Sequence, residues 1–355
     1  MTTLIQYGWS NFQDEQYNLF LNKELLPGRV TTVRGFKYIL MTESGELETE
    51  LSGKLLYGTE TDDLPKVGDW ALYLDYGATG YITDVLPRLN ALMRKEPGTK
   101  TGRQVLGCNI DYALIIQGLD RDFNLMRLDR YIVQITACGI KPVVILNKSD
   151  LPANPGEFVN EVMGLKRDCP VHLCSTFTGA GISEIQSQIL QKQKTFILLG
   201  SSGVGKSSLL NALMNADVQR TGEVSDFNQK GKHTTSTRDL FLLNNGSLII
   251  DSPGMREFGL TSAEAHTSAE LFPEISKFSG RCRFNNCTHQ SEAGCGVIAG
   301  VHSGELDETI YASYLKLMKE QKHFAQTASD KKRLGKQTGK MIREVKDFKK
   351  RFKGG

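Results

Sequence analysis

The stretch Gly200-Ser201-Ser202-Gly203-Val204-Gly205-Lys206-Ser207 constrains this chain more than any other. It fits G-x-x-x-x-G-K-[ST], follows the apolar run Thr195–Leu199 and leads into the helix-like segment Ser208–Met214. Strand, glycine turn and helix in that order make a loop whose backbone N–H groups converge on phosphate at a helix N-terminus. Gly200, Gly203 and Gly205 let the backbone curl, with Ser201, Ser202, Val204 and Ser208 completing the lining. Lys206 is the residue type that neutralises β- and γ-phosphates, and the Ser207 hydroxyl is a ligand for Mg²⁺. A loop of this kind belongs in a parallel sheet. The surrounding sequence agrees: apolar strands at 112–117, 143–146, 171–174, 195–199 and 247–250 alternate with helix-like segments at 124–138, 157–165 and 182–190.

Three further stretches fall at strand ends, where such a sheet places its ligand loops. Asn147-Lys148-Ser149-Asp150 matches N-K-x-D. The Asp150 carboxylate can accept both N–H groups of a guanine edge, whereas adenine offers no such pair and would leave it unpaired. Asn147 can bond the base edge and hold neighbouring loops, and the Lys148 stem can lie along the ring. Cys174-Ser175-Thr176, with Gly179 and Gly181, is expected to turn a backbone N–H near Ser175 toward the guanine oxygen. Asp251-Ser252-Pro253-Gly254 fits D-x-x-G, with Asp251 holding Mg²⁺ through water and the Gly254 N–H meeting the γ-phosphate. The polar stretch 218–230, followed by Gly231-Lys232-His233-Thr234-Thr235, suits a mobile switch in which Thr234 or Thr235 is the Mg²⁺ ligand.

The order of these stretches is informative. N-K-x-D at 147 precedes the phosphate loop at 200, and D-x-x-G at 251 comes last, so the domain is circularly permuted. Met255 stands where a water-orienting Gln is common, so slow intrinsic hydrolysis and dependence on a partner are expected. His233 is the in-chain candidate for the catalytic group, beside Lys206.

The flanking regions differ in character. Residues 1–27 carry scattered aromatics and read as an extension with a short helix packed on the next domain. Residues 28–95 hold short strands, among them 29–33, 38–41, 70–74 and 81–85, and suit a small barrel of OB or SH3-like type. Residues 96–106 read as a linker, 107–262 as the nucleotide domain and 263–355 as a metal-binding domain with basic helices. Arg88, Arg94 and Lys95 at the barrel exit are candidates for phosphate contact. Cys282, Cys287, His289 and Cys295 form C-x4-C-x-H-x5-C, a donor set for one structural, tetrahedral zinc ion per chain. Arg281 and Arg283 flank its first ligand and are further candidates for phosphate contact. The remaining cysteines, 108, 138, 169 and 174, lie in apolar segments and read as core.

The net charge of +3 hides an asymmetry. Residues 316–355 hold fourteen Lys and Arg against four Asp and Glu, a net +10, leaving −7 for the rest. Met341, Val345, Phe348 and Phe352 fall at helical spacing among these cations, a pattern suited to a polyanionic partner, with RNA favoured. Met1–Phe20 lacks an apolar signal core and no apolar run approaches the ~20 residues of a membrane span. A cytoplasmic, monomeric protein with reduced or metal-bound cysteines is expected.

The chain resembles the circularly permuted, ribosome small-subunit-dependent GTPases, the RsgA/YjeQ family. The likeness is carried by Asp122–Tyr131, NKSD at 147–150, GSSGVGKSS at 200–208, GKHTTST at 231–237, DSPGMREFGL at 251–260, FPEI at 272–275, and CRFNNCTH at 282–289 with Cys295. It runs from about residue 28 to 325. The resemblance implies an N-terminal OB-fold, a permuted GTPase domain and a C-terminal zinc domain. It also implies binding to the 30S subunit and its 16S rRNA, subunit-stimulated hydrolysis of GTP to GDP, and a role in late subunit maturation. The competing reading is an RNA-binding protein that keeps guanine nucleotide as a structural ligand.

Overall fold

The computed structural model describes residues 2–20, 24–59, 63–77, 79–95, 103–214, 238–251, 272–308, 310–316 and 318–319. His233, Thr234, Thr235, Gly254 and Met255 lie outside the described residues, as does the basic segment from 320 onward. The chain separates into two compact units, Met1–Met93 with Val105–Phe258, and Arg94–Gln104 with Gly259–Gly355.

The first unit opens with helices α1 (Thr2–Gln6) and α2 (Asn11–Asn18). Their apolar residues enter the core: Leu4 and Trp9 are buried, and Trp9 meets Trp70 edge-on with ring centroids 4.8 Å apart. A closed barrel comes next, made of β1 (Leu26–Arg34), β2 (Lys37–Thr42), β3 (Gly45–Leu51), helix α3 (Gly53–Gly58), β4 (Trp70–Asp75) and β5 (Gly80–Val85). Its strand order is β1-β2-β3-β5-β4, with β3 parallel to β5. Between the two barrel types left open by strand spacing, this is the OB arrangement. Val30, Tyr38, Leu40, Ala71, Tyr73 and Ile82 fill its interior. Strand β3 is masked in the sequence by Glu46, Glu48 and Glu50. These lie on an exposed face, where Glu48 pairs with Lys37 at 2.5 Å. Strands β6 (Ala91–Lys95) and β7 (Arg103–Cys108) form a two-stranded ribbon, so residues 103–106 of the expected linker are strand.

The α/β sheet comprises β8 (Tyr112–Gly118), α4 (Leu125–Ala137), β9 (Lys141–Asn147), α5 (Pro155–Gly164), β10 (Val171–Leu173), α6 (Ile182–Glu184, continuing as a π turn over Ile185–Ile189), β11 (Thr195–Leu199), α7 (Lys206–Met214), β12 (Leu240–Leu242) and β13 (Leu248–Ile250). The order is β10-β9-β8-β11-β13-β12, parallel except for the antiparallel edge strand β12. The strands read as unbroken apolar runs because both faces are covered. Ile115, Val144, Leu146, Ile197 and Leu199 join one cluster, while Leu114, Ile116, Val143, Ile145, Phe196 and Leu198 join the other. The first cluster also contains Trp70, Leu72, Leu86 and Leu92, so barrel and sheet share a core. Asn124 caps α4 by accepting the Arg127 N–H at 2.8 Å.

The second unit contains α8 (Pro273–Ser279), α9 (Gly296–His302) and a helical segment at 310–316. Its small core includes Phe272, Ile275, Val297, Leu306, Ile310 and Tyr314.

Candidate nucleotide site and metal centre

Chain order reverses between β8 and β11: β9 and β10 lie to one side of the pair, β13 to the other. In an open α/β sheet, that reversal leaves a crevice at the carboxyl ends of the strands. Five parallel strands deliver the loops beginning at Leu119, Lys148, Cys174, Gly200 and Asp251 to that edge.

The phosphate loop needs its glycines for two different reasons. Gly200 has φ 150°, and a Cβ there would stand 2.4 Å from the Ile116 carbonyl oxygen. Gly205 has φ 99°, and a Cβ there would stand 2.2 Å from Asn147 Nδ2. The loop is thus packed against the adjacent strand and against the N-K-S-D turn. The helix begins at Lys206, two residues earlier than the sequence suggested, which puts Lys206 and Ser207 in its first turn. Lys206 Nζ donates to the carbonyls of Gly200 at 2.9 Å and Ser201 at 2.7 Å, folding the cation back over its own loop. Burial pushes its pKa down to about 8, opposed by the nearby Asp251 carboxylate.

Asn147 is fully buried and ties three loops together. Its Nδ2 donates to the Val204 carbonyl at 2.7 Å and to Thr176 Oγ1 at 3.3 Å, and its Oδ1 accepts the Thr176 N–H at 3.1 Å. Asp150 accepts a hydrogen bond from Ser175 Oγ at 2.5 Å, which holds its carboxylate. Ser175 uses both its backbone and its side chain within the chain. Its N–H donates to the Ala180 carbonyl at 2.9 Å, closing the 175–180 turn, and its hydroxyl organises the site. Lys148 has φ 64° and donates to Asp120 Oδ2 at 2.5 Å. Burial works to raise the Asp120 carboxyl, but Lys148 and the Asp122 N–H outweigh it and hold it below the ordinary range. Asp120, which pairs with Lys148, is a neighbour of the candidate site that the sequence motifs do not name. The usable signal for Asp120 was position alone, two residues beyond the end of β8.

Asp251 lies just past β13, and its N–H donates to the Asp239 carbonyl at 3.1 Å. Its carboxylate lies close enough to Lys206 to raise that group's pKa. With the Ser207 hydroxyl it supplies hard oxygen donors of the class Mg²⁺ takes. Of the other candidate phosphate contacts, Arg88 is committed elsewhere. Its Nε and Nη2 grip Asp69 at 2.9 and 2.8 Å, and Nη2 also donates to the Leu64 carbonyl at 3.1 Å. Arg94 Nε donates to Gln104 Oε1 at 3.0 Å.

In the second unit, the donor atoms of Cys282, Cys287, His289 and Cys295 all lie within 4.8 Å of one another. The Cys282 and Cys295 sulfurs are 3.8 Å apart, and His289 Nδ1 lies 3.5 and 3.4 Å from them. Donors at ~2.3 Å (sulfur) and ~2.0 Å (nitrogen) around one tetrahedral ion are separated by about these amounts. The surroundings hold the ligands in place. Glu292 accepts N–H bonds from Thr288, Gln290 and Ser291, and the His289 carbonyl accepts Tyr311 OH at 2.6 Å. The cluster can therefore bind one metal ion. Arg281 stacks on Phe278 with its guanidinium 5.1 Å from the ring centre, and Arg283 lies 5.6 Å from that of Phe284. The other thiols do not belong to this chemistry. Cys108 and Cys174 are buried, and burial pushes Cys138 and Cys169 up to about 11 and Cys174 to about 12.

The sequence profile of the RsgA GTPase family matches residues 85–261. A Bacteroides thetaiotaomicron protein named small ribosomal subunit biogenesis GTPase RsgA 1 is 38% identical over 347 residues, spanning 98% of this chain and 97% of its own. The Opitutus terrae protein of the same function name is 40% identical over 334 residues, 91% of each chain. Among solved structures, YjeQ from Thermotoga maritima has a TM-score of 0.60 at 27% identity, covering 83% of this chain and 98% of that one. YloQ, described as a circularly permuted GTPase, shares the fold with a TM-score of 0.60 at 24% identity, covering 85% and 96%. With relatives 38% and 40% identical over 98% and 91% of its length, this chain belongs to the RsgA GTPase family.

Proposed function

We propose that this chain hydrolyses GTP to GDP and phosphate while bound to the small (30S) ribosomal subunit, and that it acts late in that subunit's maturation. The observation that carries the reading is Asn147, whose amide holds the guanine-type turn, the 174–176 loop and the phosphate loop together. In this reading Asp150, fixed by Ser175, accepts the guanine N–H pair, Lys148 lies along the ring, and the backbone from Gly200 to Ser208 binds the phosphates. Lys206 neutralises the β- and γ-phosphates, exchanging the Gly200 and Ser201 carbonyls for phosphate oxygen. Mg²⁺, when bound, supplies charge neutralisation at the phosphates. Ser207, Asp251 through water, and Thr234 or Thr235 would hold it. His233 is the candidate that activates water, and the Gly254 N–H meets the γ-phosphate.

The Cys₃His cluster would hold one zinc ion per chain in a structural role, because four protein donors leave no open position. The barrel, the metal module and the basic C-terminal segment contact 16S rRNA, and the protein works as a monomer in the cytoplasm. The relatives' printed function and the net +10 of residues 316–355 support the contact with ribosomal RNA.

Phosphate release measured with and without purified small subunits tests the reading. Without the subunit, hydrolysis is expected at roughly 10⁻⁴ to 10⁻² per second, with at least about a tenfold rise when it is added. Turnover unchanged by the subunit would leave the nucleotide as a structural ligand of an RNA-binding protein.

A further inference from the structure

Strand β1 of the barrel reaches the nucleotide edge of the α/β sheet at one place. Its pairing with β2 runs Val30 with Leu40 and then Thr32 with Ile39, so Thr31 is an extra, bulged residue. A bulge breaks the alternation of a strand and re-aims the side chains beyond it. Thr31 Oγ1 donates back to the Ile39 carbonyl within the barrel, at 3.1 Å. Thr32, only 8% exposed, instead donates its Oγ1 hydrogen to Asp239 Oδ1 at 2.7 Å, across 207 residues of chain. The two residues also form an isolated antiparallel β-bridge. The Asp239 carbonyl then accepts the N–H of Asp251 at 3.1 Å. In sequence, Asp239 follows the stretch that carries Thr234 and Thr235.

We infer that Thr32 and Asp239 are positioning residues for GTP hydrolysis, forming a relay from barrel strand β1 to the Mg²⁺-serving residue Asp251. Thr32 fixes the Asp239 side chain, and the Asp239 carbonyl fixes the backbone of Asp251. A partner that shifts β1 therefore shifts the Asp251 carboxylate without touching the nucleotide. The relay's end point rests on the proposed Mg²⁺ role of Asp251, and this last step rests in addition on the proposed small-subunit function.

The test uses full-length protein carrying Thr32→Val, Thr32→Ser, Asp239→Ala or Thr32→Val with Asp239→Ala. The first readout is the Mg²⁺ concentration giving half-maximal binding of a fluorescent, non-hydrolysable GTP analogue. Loss of a hydrogen bond to a half-buried carboxylate is expected to raise it about tenfold in Thr32→Val. Thr32→Ser should stay within about twofold of wild type, and the double variant should be no worse than Asp239→Ala alone. GDP affinity without Mg²⁺ should remain within about twofold. The second readout is subunit-stimulated turnover, in which kcat of Thr32→Val should fall about tenfold with KM for GTP unchanged.

An unchanged Mg²⁺ requirement in Thr32→Val overturns the relay, whatever the turnover assay gives. An equal loss of GDP and GTP-analogue affinity also overturns it, since that reports a structural role only. A shifted Mg²⁺ requirement with normal stimulation retains the relay from β1 and overturns its use by a partner. A shifted requirement in a protein whose wild type is unstimulated supports the relay and overturns the small-subunit function instead.

Discussion

At the scale of single residues, Lys206 has the most to reveal. Its ammonium sits in a buried loop that holds it with two carbonyls, and burial pushes its pKa down to about 8 from 10.5. A lysine whose folded pKa is depressed destabilises the free protein below that value, and stability rises with pH between the folded and unfolded values. Bound phosphate reverses the shift because it favours the charged form. Nucleotide binding should therefore draw in a proton as pH rises through 8, and affinity should fall over the same window. Calorimetric titration with GDP in buffers of different ionisation enthalpy should show proton uptake growing between about pH 7.5 and 8.5, by roughly half a proton. A flat profile would contradict the burial of this group. The residues proposed for this site can be picked out in the sequence, because glycine, lysine and the N-K-S-D carboxylate are the types that phosphate and guanine chemistry demand. The atoms used were less legible. The Ser175 N–H is taken by the turn closing on Ala180, a pairing set by the folded loop.

At the scale of elements, apolar run length and glycine punctuation predicted most of the α/β sheet, since strands buried on both faces leave an uninterrupted signal. Strand β3 was hidden because its outward Glu46, Glu48 and Glu50 swamp the pattern of a half-exposed strand. The knuckle Cys282–Cys295 was legible from ligand spacing. It also makes a stability claim, because the core around Phe272, Val297 and Ile310 is small. Structural zinc contributes about 10–16 kcal/mol in small zinc modules, enough to decide whether such a unit folds. Elemental analysis should find one zinc per chain. Chelation should open Cys282, Cys287 and Cys295 to alkylation, read peptide by peptide, while buried Cys108 and Cys174 stay protected. Folded protein lacking the metal would remove this site.

At the scale of the whole molecule, permutation was readable because motif order along the chain is independent of how the loops pack. The shared core of barrel and sheet was not, nor was the Thr32–Asp239 hydrogen bond. Apolar residues such as Trp70 and Leu72 carry no label saying which neighbour they cover, and a Thr–Asp contact across 207 residues leaves no local pattern. The proposed function requires loops separated along the chain to build one guanine-nucleotide pocket at one edge of the sheet. Competition binding of GTP, ATP and XTP to wild type, Asp150→Asn and Lys206→Ala measures this directly. Wild type should prefer GTP over ATP by at least about a hundredfold. Asp150→Asn should exchange GTP for XTP at comparable affinity, and Lys206→Ala should weaken both nucleotides alike. Equal binding of ATP and GTP by wild type, or an Asp150→Asn variant that still prefers GTP, would contradict it.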